Sequence, residues 1–184
     1  MKLMVMSSYL VDLVRSFEPV PDVTGSWDGS RCNECDDRSS GLRKIVDDWI
    51  NPSTRSSIEL MYGSIEAWDT SQVTNMDNVF YGKKNINPDI RNWIVSKVTT
   101  MRFMFQHTDS FNIDLSSWLL NNRPRVVCDN YVNCKFVTYP EFHKMFANSA
   151  YNQVLCGSTW IEAWNDMTNE QKSYMFQGAK YNAK

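Results

Sequence analysis

The sequence predicts an α/β fold: a short solenoid of about four strand–short-helix coils, closed on its N-terminal side by an amphipathic helix. Three observations predict it. First, two consecutive segments repeat without a gap at a spacing of 25 residues. Trp68 returns as Trp93, Ser71 as Ser96, Val73 as Val98, Met76 as Met101 and Phe80 as Phe105. Ile86, Asp89 and Ile90 return as Phe111, Asp114 and Leu115, and Trp118 falls on the next beat. Second, each segment carries a short run ending in Trp, then Val-Thr, then Met and Phe at helical spacing. Third, Leu42, Ile45, Val46, Trp49 and Ile50 form one helical stripe just before the first repeat, where a terminal coil would otherwise expose its core.

The elements follow in chain order. Residues 1–40 read as an N-terminal helix and a loop-like arm. Leu10, Leu13, Val14 and Phe17 share one helical face behind Ser7 or Ser8, while Ser7, Ser8 and Asp12 interrupt the apolar run that a secretory signal needs. Residues 18–40 are rich in Pro, Gly, Ser and Asp and contain Trp27. Residues 41–61 form the capping helix, ended by Pro52, and a lead-in. Residues 62–184 hold the repeats. In each coil, Ile65–Asp69, Ile90–Ile94 and Leu115–Leu119 are the expected strands. Thr74 and Asp77 form a capping box ahead of a short helix. An insertion occupies about 119–135. Val137-Thr138 resumes the Val-Thr beat with a second capping box, Thr138 with Glu141. A degenerate last coil at 156–184 carries a third, Thr168 with Gln171. The predicted repeat core is Trp68, Val73, Met76, Phe80, Trp93, Val98, Met101, Phe105 and Trp118.

The stretch "YGSIEAWDTSQVTNMDNVF" resembles the repeat of BspA-like surface proteins, a leucine-rich-repeat-like family of about 25-residue units. The resemblance is strong over 62–118 and weak after 119. "LRKIVDDWINPSTRSSIELMYGSI" and "YNQVLCGSTW" look like segments common in algal members of that family. It implies a leucine-rich-repeat-like solenoid and an interaction role, and it brings no catalytic residues. The insertion after Trp118 departs from the family pattern.

Composition narrows the partners. Nineteen basic residues balance 21 acidic ones and form no stripe, which argues against nucleic acid. No apolar run approaches the ~20 residues that cross a bilayer. Five cysteines, an odd set, leave free thiols, one bridge or two bridges open. Cys32 and Cys35 in "CNEC" could supply half a metal site, but Cys128-x5-Cys134 lacks zinc spacing. Asp36 and Asp37 would raise a redox thiol's pKa. His107 and His143 are too dispersed for a catalytic centre, and Ser71 and Ser96 lack a glycine elbow. Asp69, Asp89 and Asp114 could form a calcium ladder, yet turn capping explains them better.

The expectation is therefore a non-catalytic structural or protein-interaction module without cofactor, a minor subunit of a larger assembly such as a virus particle or organelle complex, with other protein subunits as partners. A secreted or cell-surface adhesin and a cysteine-based metal-binding protein are the alternatives. Candidate contact residues are Trp27, Glu66, Arg91, Asn92, Arg123 and Arg125, the last two in the "NNRPR" insertion. The arm at 18–40 and the insertion at 121–135 are expected to make much of that contact, because long loops in compact domains are commonly functional.

Overall fold

The computed structural model describes residues 19–21, 41–129 and 133–180, and for 125–136 the backbone alone. The N-terminal amphipathic face, Trp27, Cys32, Cys35 and most of the 18–40 arm lie outside the described residues.

Helix α1 (Gly41–Ile50) forms where the sequence sets its stripe, and Leu42, Ile45, Val46 and Trp49 are buried beneath it. The Thr54 hydroxyl, donating to the Asp48 carbonyl at 2.7 Å, joins it to α2 (Arg55–Tyr62). Gly63, at φ 79°, ends α2 with its amide on Glu59 O. A left-handed backbone of this kind suits glycine. A single 3-10 turn, Ile65–Ala67, leads into the repeats.

The repeats stack, but not as the expected α/β solenoid of strand–helix coils. Among the described residues, 68–124 contain no helix and no strand, only turns, extended links and isolated bridges. The short helix behind Thr74 does not form, because the amides that would bond four residues back are used elsewhere. Met76, Asn78, Phe80 and Gly82 each donate to the next unit, to the carbonyls of Thr100, Arg102, Met104 and Gln106, all at 2.9 Å. Met101, Phe103, Phe105 and His107 repeat the pattern onto Glu141, His143, Met145 and Ala147. Two left-handed positions per unit make this alternation possible. Asn78, Phe103 and Lys144 occupy one, with φ of 58°, 57° and 53°; Gly82, His107, Asn148 and Gly178 occupy the other. A non-glycine residue there costs roughly 1–2 kcal/mol, which the interunit bonds offset.

The expected strands fail for a related reason. The carboxylates of Asp89 and Asp114 accept from the amides of Arg91 and Ser116, two residues on, and bend the chain. Trp93 N then closes onto Ile90 O, and Trp118 N onto Leu115 O, both at 3.0 Å. In such a turn residues i and i+3 both face inward, so Ile90 pairs with Trp93 and Leu115 with Trp118 in the core.

All nine predicted core residues are buried. Phe80, Phe105, Phe146 and Phe176 stack at 5.3–5.4 Å with nearly parallel rings. The tryptophans form a second column in which each indole donates backward. Trp68 Nε1 reaches Gly63 O, Trp93 reaches Ile65 O, Trp118 reaches Ile90 O and Trp160 reaches Leu115 O, at 2.8–3.0 Å. Trp160 is a rung that the 25-residue beat does not reveal.

The first unit is covered by α1 and by residues 19–21. Val20 is buried and its amide donates to Asp69 O at 3.0 Å. Arg43 of α1 reaches across to the Asp77 carbonyl with Nε at 3.2 Å and Nη2 at 2.8 Å. Asp77 itself is buried, its carboxylate accepting from the Arg102 amide at 2.6 Å and the Thr100 hydroxyl at 2.5 Å. It holds the second unit rather than capping a helix. Burial pushes its carboxyl above the ordinary carboxylate value despite those donors. A raised carboxyl means the folded state binds a proton where the unfolded one does not, so ionising Asp77 subtracts stability as pH rises through the folded value. Asp77→Asn, which keeps an acceptor without the charge, is expected to change stability by less than about 1 kcal/mol, whereas Asp77→Ala orphans two donors and costs about 1–3 kcal/mol. Urea denaturation of both variants tests this, and equal losses would show that charge rather than acceptance matters.

After Trp118 the chain leaves the stack as an antiparallel hairpin, β1 (Arg125–Asp129) with β2 (Asn133–Val137). It returns where Thr100 bridges Glu141. That bridge places Tyr139, not Val137, opposite Val98, correcting the resumed beat by two residues. Residues 138–150 hold no helix, only the bridge at Glu141 and turns over 143–148, so Thr138 begins none. The last unit is built differently: α3 (Ser158–Asp166) carries Trp160, and α4 (Asn169–Met175) opens on the Thr168–Gln171 capping box. Phe146 N and Asn148 N still find their acceptors, Met175 O and Gln177 O.

Candidate functional site

The position immediately after each ladder tryptophan is solvent-facing. In the first unit it is Asp69, whose carboxylate accepts from the Ser71 amide. In the next three it is apolar: Ile94, Leu119 and Ile161, exposed by 47%, 66% and 50%. Ile94 and Leu119 hold one position of the 25-residue repeat, and Ile161 follows Trp160 on α3, each one residue after an indole that donates to the preceding unit. The Thr70 hydroxyl accepts from the Ile94 amide and donates to its carbonyl, at 2.7 and 3.0 Å. Between the third and fourth units Thr159 does the same work, accepting from Leu120 N and donating to Trp118 O. The backbone beneath the apolar column is thus fixed by buried or half-buried threonines.

Three sequence candidates flank the column. Glu66, Arg91 and Asn92 are all exposed, just before Trp68 and Trp93. Arg91 is committed to its neighbour: Nε and Nη2 lie 2.8 and 2.5 Å from the Asp89 carboxylate, which holds Asp89 below and Arg91 above their ordinary pKa values. Ser117 joins the same surface, donating to Arg91 O at 3.0 Å. Arg123 is exposed in the insertion just before β1, its amide on Asn121 Oδ1. Arg125 opens β1 opposite Val137. Trp27 and the Cys32–Cys35 pair lie outside the described residues. Glu66, Arg91 and Asn92 therefore share a surface, and Arg123 and Arg125 sit on the insertion. The apolar column went unread because an apolar residue after a buried tryptophan looks like more core. The available signal was the change from Asp69 to Ile94, Leu119 and Ile161 at one repeat position.

A cleft of about 370 Å³ opens between the third unit and the last two helices, lined by Arg102, Tyr139, Glu141, His143, Glu170 and Tyr174 among others. Two of its polar groups have carboxylate partners. Tyr139 donates to Glu162 at 2.6 Å, a bond that pushes its hydroxyl up to about 12. Arg102 lies 3.6 Å from Glu141. Burial, with Arg102 and Lys144 nearby, lowers His143, whose ring sits 5.3 Å from both Phe103 and Tyr174. Among the described residues no three His, Cys, Asp or Glu side chains gather as metal ligands. No described helix is long and apolar enough to cross a membrane.

No curated protein and no solved structure matches this chain. Residues 53–127, fewer than half of the chain but including the regular repeats, match the family model described as Mycoplasma protein of unknown function, DUF285.

Proposed function

We propose that this chain is a non-catalytic protein-binding module, and that the column Ile94–Leu119–Ile161 with its polar border of Glu66, Asn92 and Ser117 is the surface that receives a partner protein. The apolar column carries the reading. Three large aliphatic side chains at one repeat position are costly to leave in water, at roughly 25 cal/mol per Å² of apolar surface, and would repay covering. The border is polar, with Glu66 and the Asp89–Arg91 ion pair beside Asn92 and Ser117, as the rim of a protein interface commonly is. The setting that suits such a module is a larger assembly, a virus particle or an organelle complex, in which it is a minor subunit. The resemblance to BspA-like repeats supports a cell-surface adhesin as the second reading.

Photo-crosslinking in the native cell tests the surface. A photoreactive residue at position 119 is expected to give a discrete protein adduct that the same residue at Asp109 does not. Ile94→Glu should abolish the adduct while leaving the melting temperature unchanged. Equal adducts from both positions, or an adduct indifferent to Ile94→Glu, would overturn the assignment.

A further inference from the structure

The hairpin that interrupts the stack has five residues in each strand and, among the described residues, no third strand beside it. A two-stranded ribbon of this size is marginal in water unless something ties it. Its register sets Arg125 opposite Val137, Val127 opposite Lys135 and, at the pair next to the turn-proximal end, Cys128 opposite Cys134. Directly opposed residues of an antiparallel pair have Cα atoms about 4.5 or 5.5 Å apart, according to whether the pair is hydrogen-bonded. Both separations fall within the roughly 4.4–6.8 Å that a disulfide spans. A slip of one residue would remove this coincidence, so the register rather than the spacing in sequence brings the two cysteines together.

We propose that Cys128 and Cys134 are a redox-active dithiol pair, a modification site whose closure to a disulfide staples the inserted hairpin. The oxidant is a low-molecular-weight disulfide of the glutathione class. One thiol of the pair loses its proton and attacks the oxidant's S–S bond, releasing one glutathione thiolate and forming a mixed disulfide. The second then displaces the remaining glutathione. Two protein thiols lose two electrons and two protons, and glutathione disulfide becomes two glutathione thiols. Closure restricts the hairpin while leaving the stack's interunit bonds untouched, since these resume at Glu141. The inference stands apart from the protein-binding reading, because it concerns the insertion and not the apolar column.

The test uses the full chain equilibrated in graded glutathione buffers, alkylated and digested with trypsin. The peptide 126–135, VVCDNYVNCK, contains both cysteines and no other. It is expected to appear unalkylated and two hydrogen atoms lighter than its reduced form. The equilibrium constant for closure in the folded chain should exceed that in denaturing urea by at least about tenfold, the advantage that a matched register confers. Equal constants in the two states would overturn the proposal, as would a peptide that stays doubly alkylated in excess glutathione disulfide. So would disulfides joining either residue to Cys32, Cys35 or Cys156.

Discussion

Replacing Trp93 with alanine is expected to destabilise the protein by about 3–5 kcal/mol, the range for truncating a buried aromatic side chain. The indole is almost fully buried, stacks 6.0 Å from Trp68 and 5.7 Å from Phe80, and donates to Ile65 O at 2.8 Å. Alanine removes all three contacts and leaves Ile65 O with only the Trp68 amide, at 3.5 Å, as donor. Trp93→Phe separates the contributions: it retains a ring in the column, and its smaller loss should approach the ~0.5–1.5 kcal/mol net worth of one hydrogen bond. Chemical denaturation followed by far-UV circular dichroism supplies both numbers. A loss below about 1 kcal/mol for the alanine variant would place Trp93 among ordinary surface substitutions and refute the column as a structural spine.

Gly157→Ala is expected to produce the second large effect, for a steric reason. Gly157 precedes α3 with an ordinary extended backbone, φ −63° and ψ 148°, which alanine adopts without strain. The added Cβ, however, would stand 2.0 Å from the Ser116 carbonyl oxygen, a backbone atom of the neighbouring unit. Relieving that contact separates the third and fourth units, and overpacking of this kind costs about 1–3 kcal/mol, occasionally more. Gly82→Ala is the contrasting control. Nothing lies within 4 Å of its Cβ, but its φ is +69°, so its cost should be only the roughly 1–2 kcal/mol of a left-handed alanine. Thermal denaturation of the two variants should rank Gly157→Ala as the more damaging. The reverse order would mean that the approach of the two units can relax.

The register of the repeats was legible in the sequence because their core is built from large, distinctive side chains. Trp68, Trp93 and Trp118, with Phe80 and Phe105, announce themselves at 25-residue intervals, and all are buried. The secondary structure inside each unit was not legible. Met76, Val79 and Phe80 have helical spacing, but that spacing also serves a tight turn whose inward residues come three and four apart. The deciding feature is a backbone sign, and Asn78, Phe103 and Lys144 share it without sharing a side-chain type. Phe103 in particular gives no hint, since an aromatic residue is among the poorer candidates for a left-handed backbone. Trp160 was hidden by distance, 42 residues from Trp118 across the insertion. The exposed apolar residues after the tryptophans were hidden because aliphatic residues look alike in sequence whether they are buried or exposed.

The bridge from Thr100 to Glu141 has a consequence for how the chain finds its fold. Neighbouring units elsewhere in the regular stack meet after 25 residues, as Asn75 meets Thr100, but here the chain must close a span of 41. Loop-closure entropy grows only with the logarithm of length, so lengthening the span by that ratio adds just ~0.4 kcal/mol of chain entropy. Early events in folding therefore scarcely register the inserted hairpin, and nucleation can begin on either side of it. The same arithmetic makes the hairpin a tolerant graft site, where segments of quite different length can be exchanged at little expense to the stack that carries them.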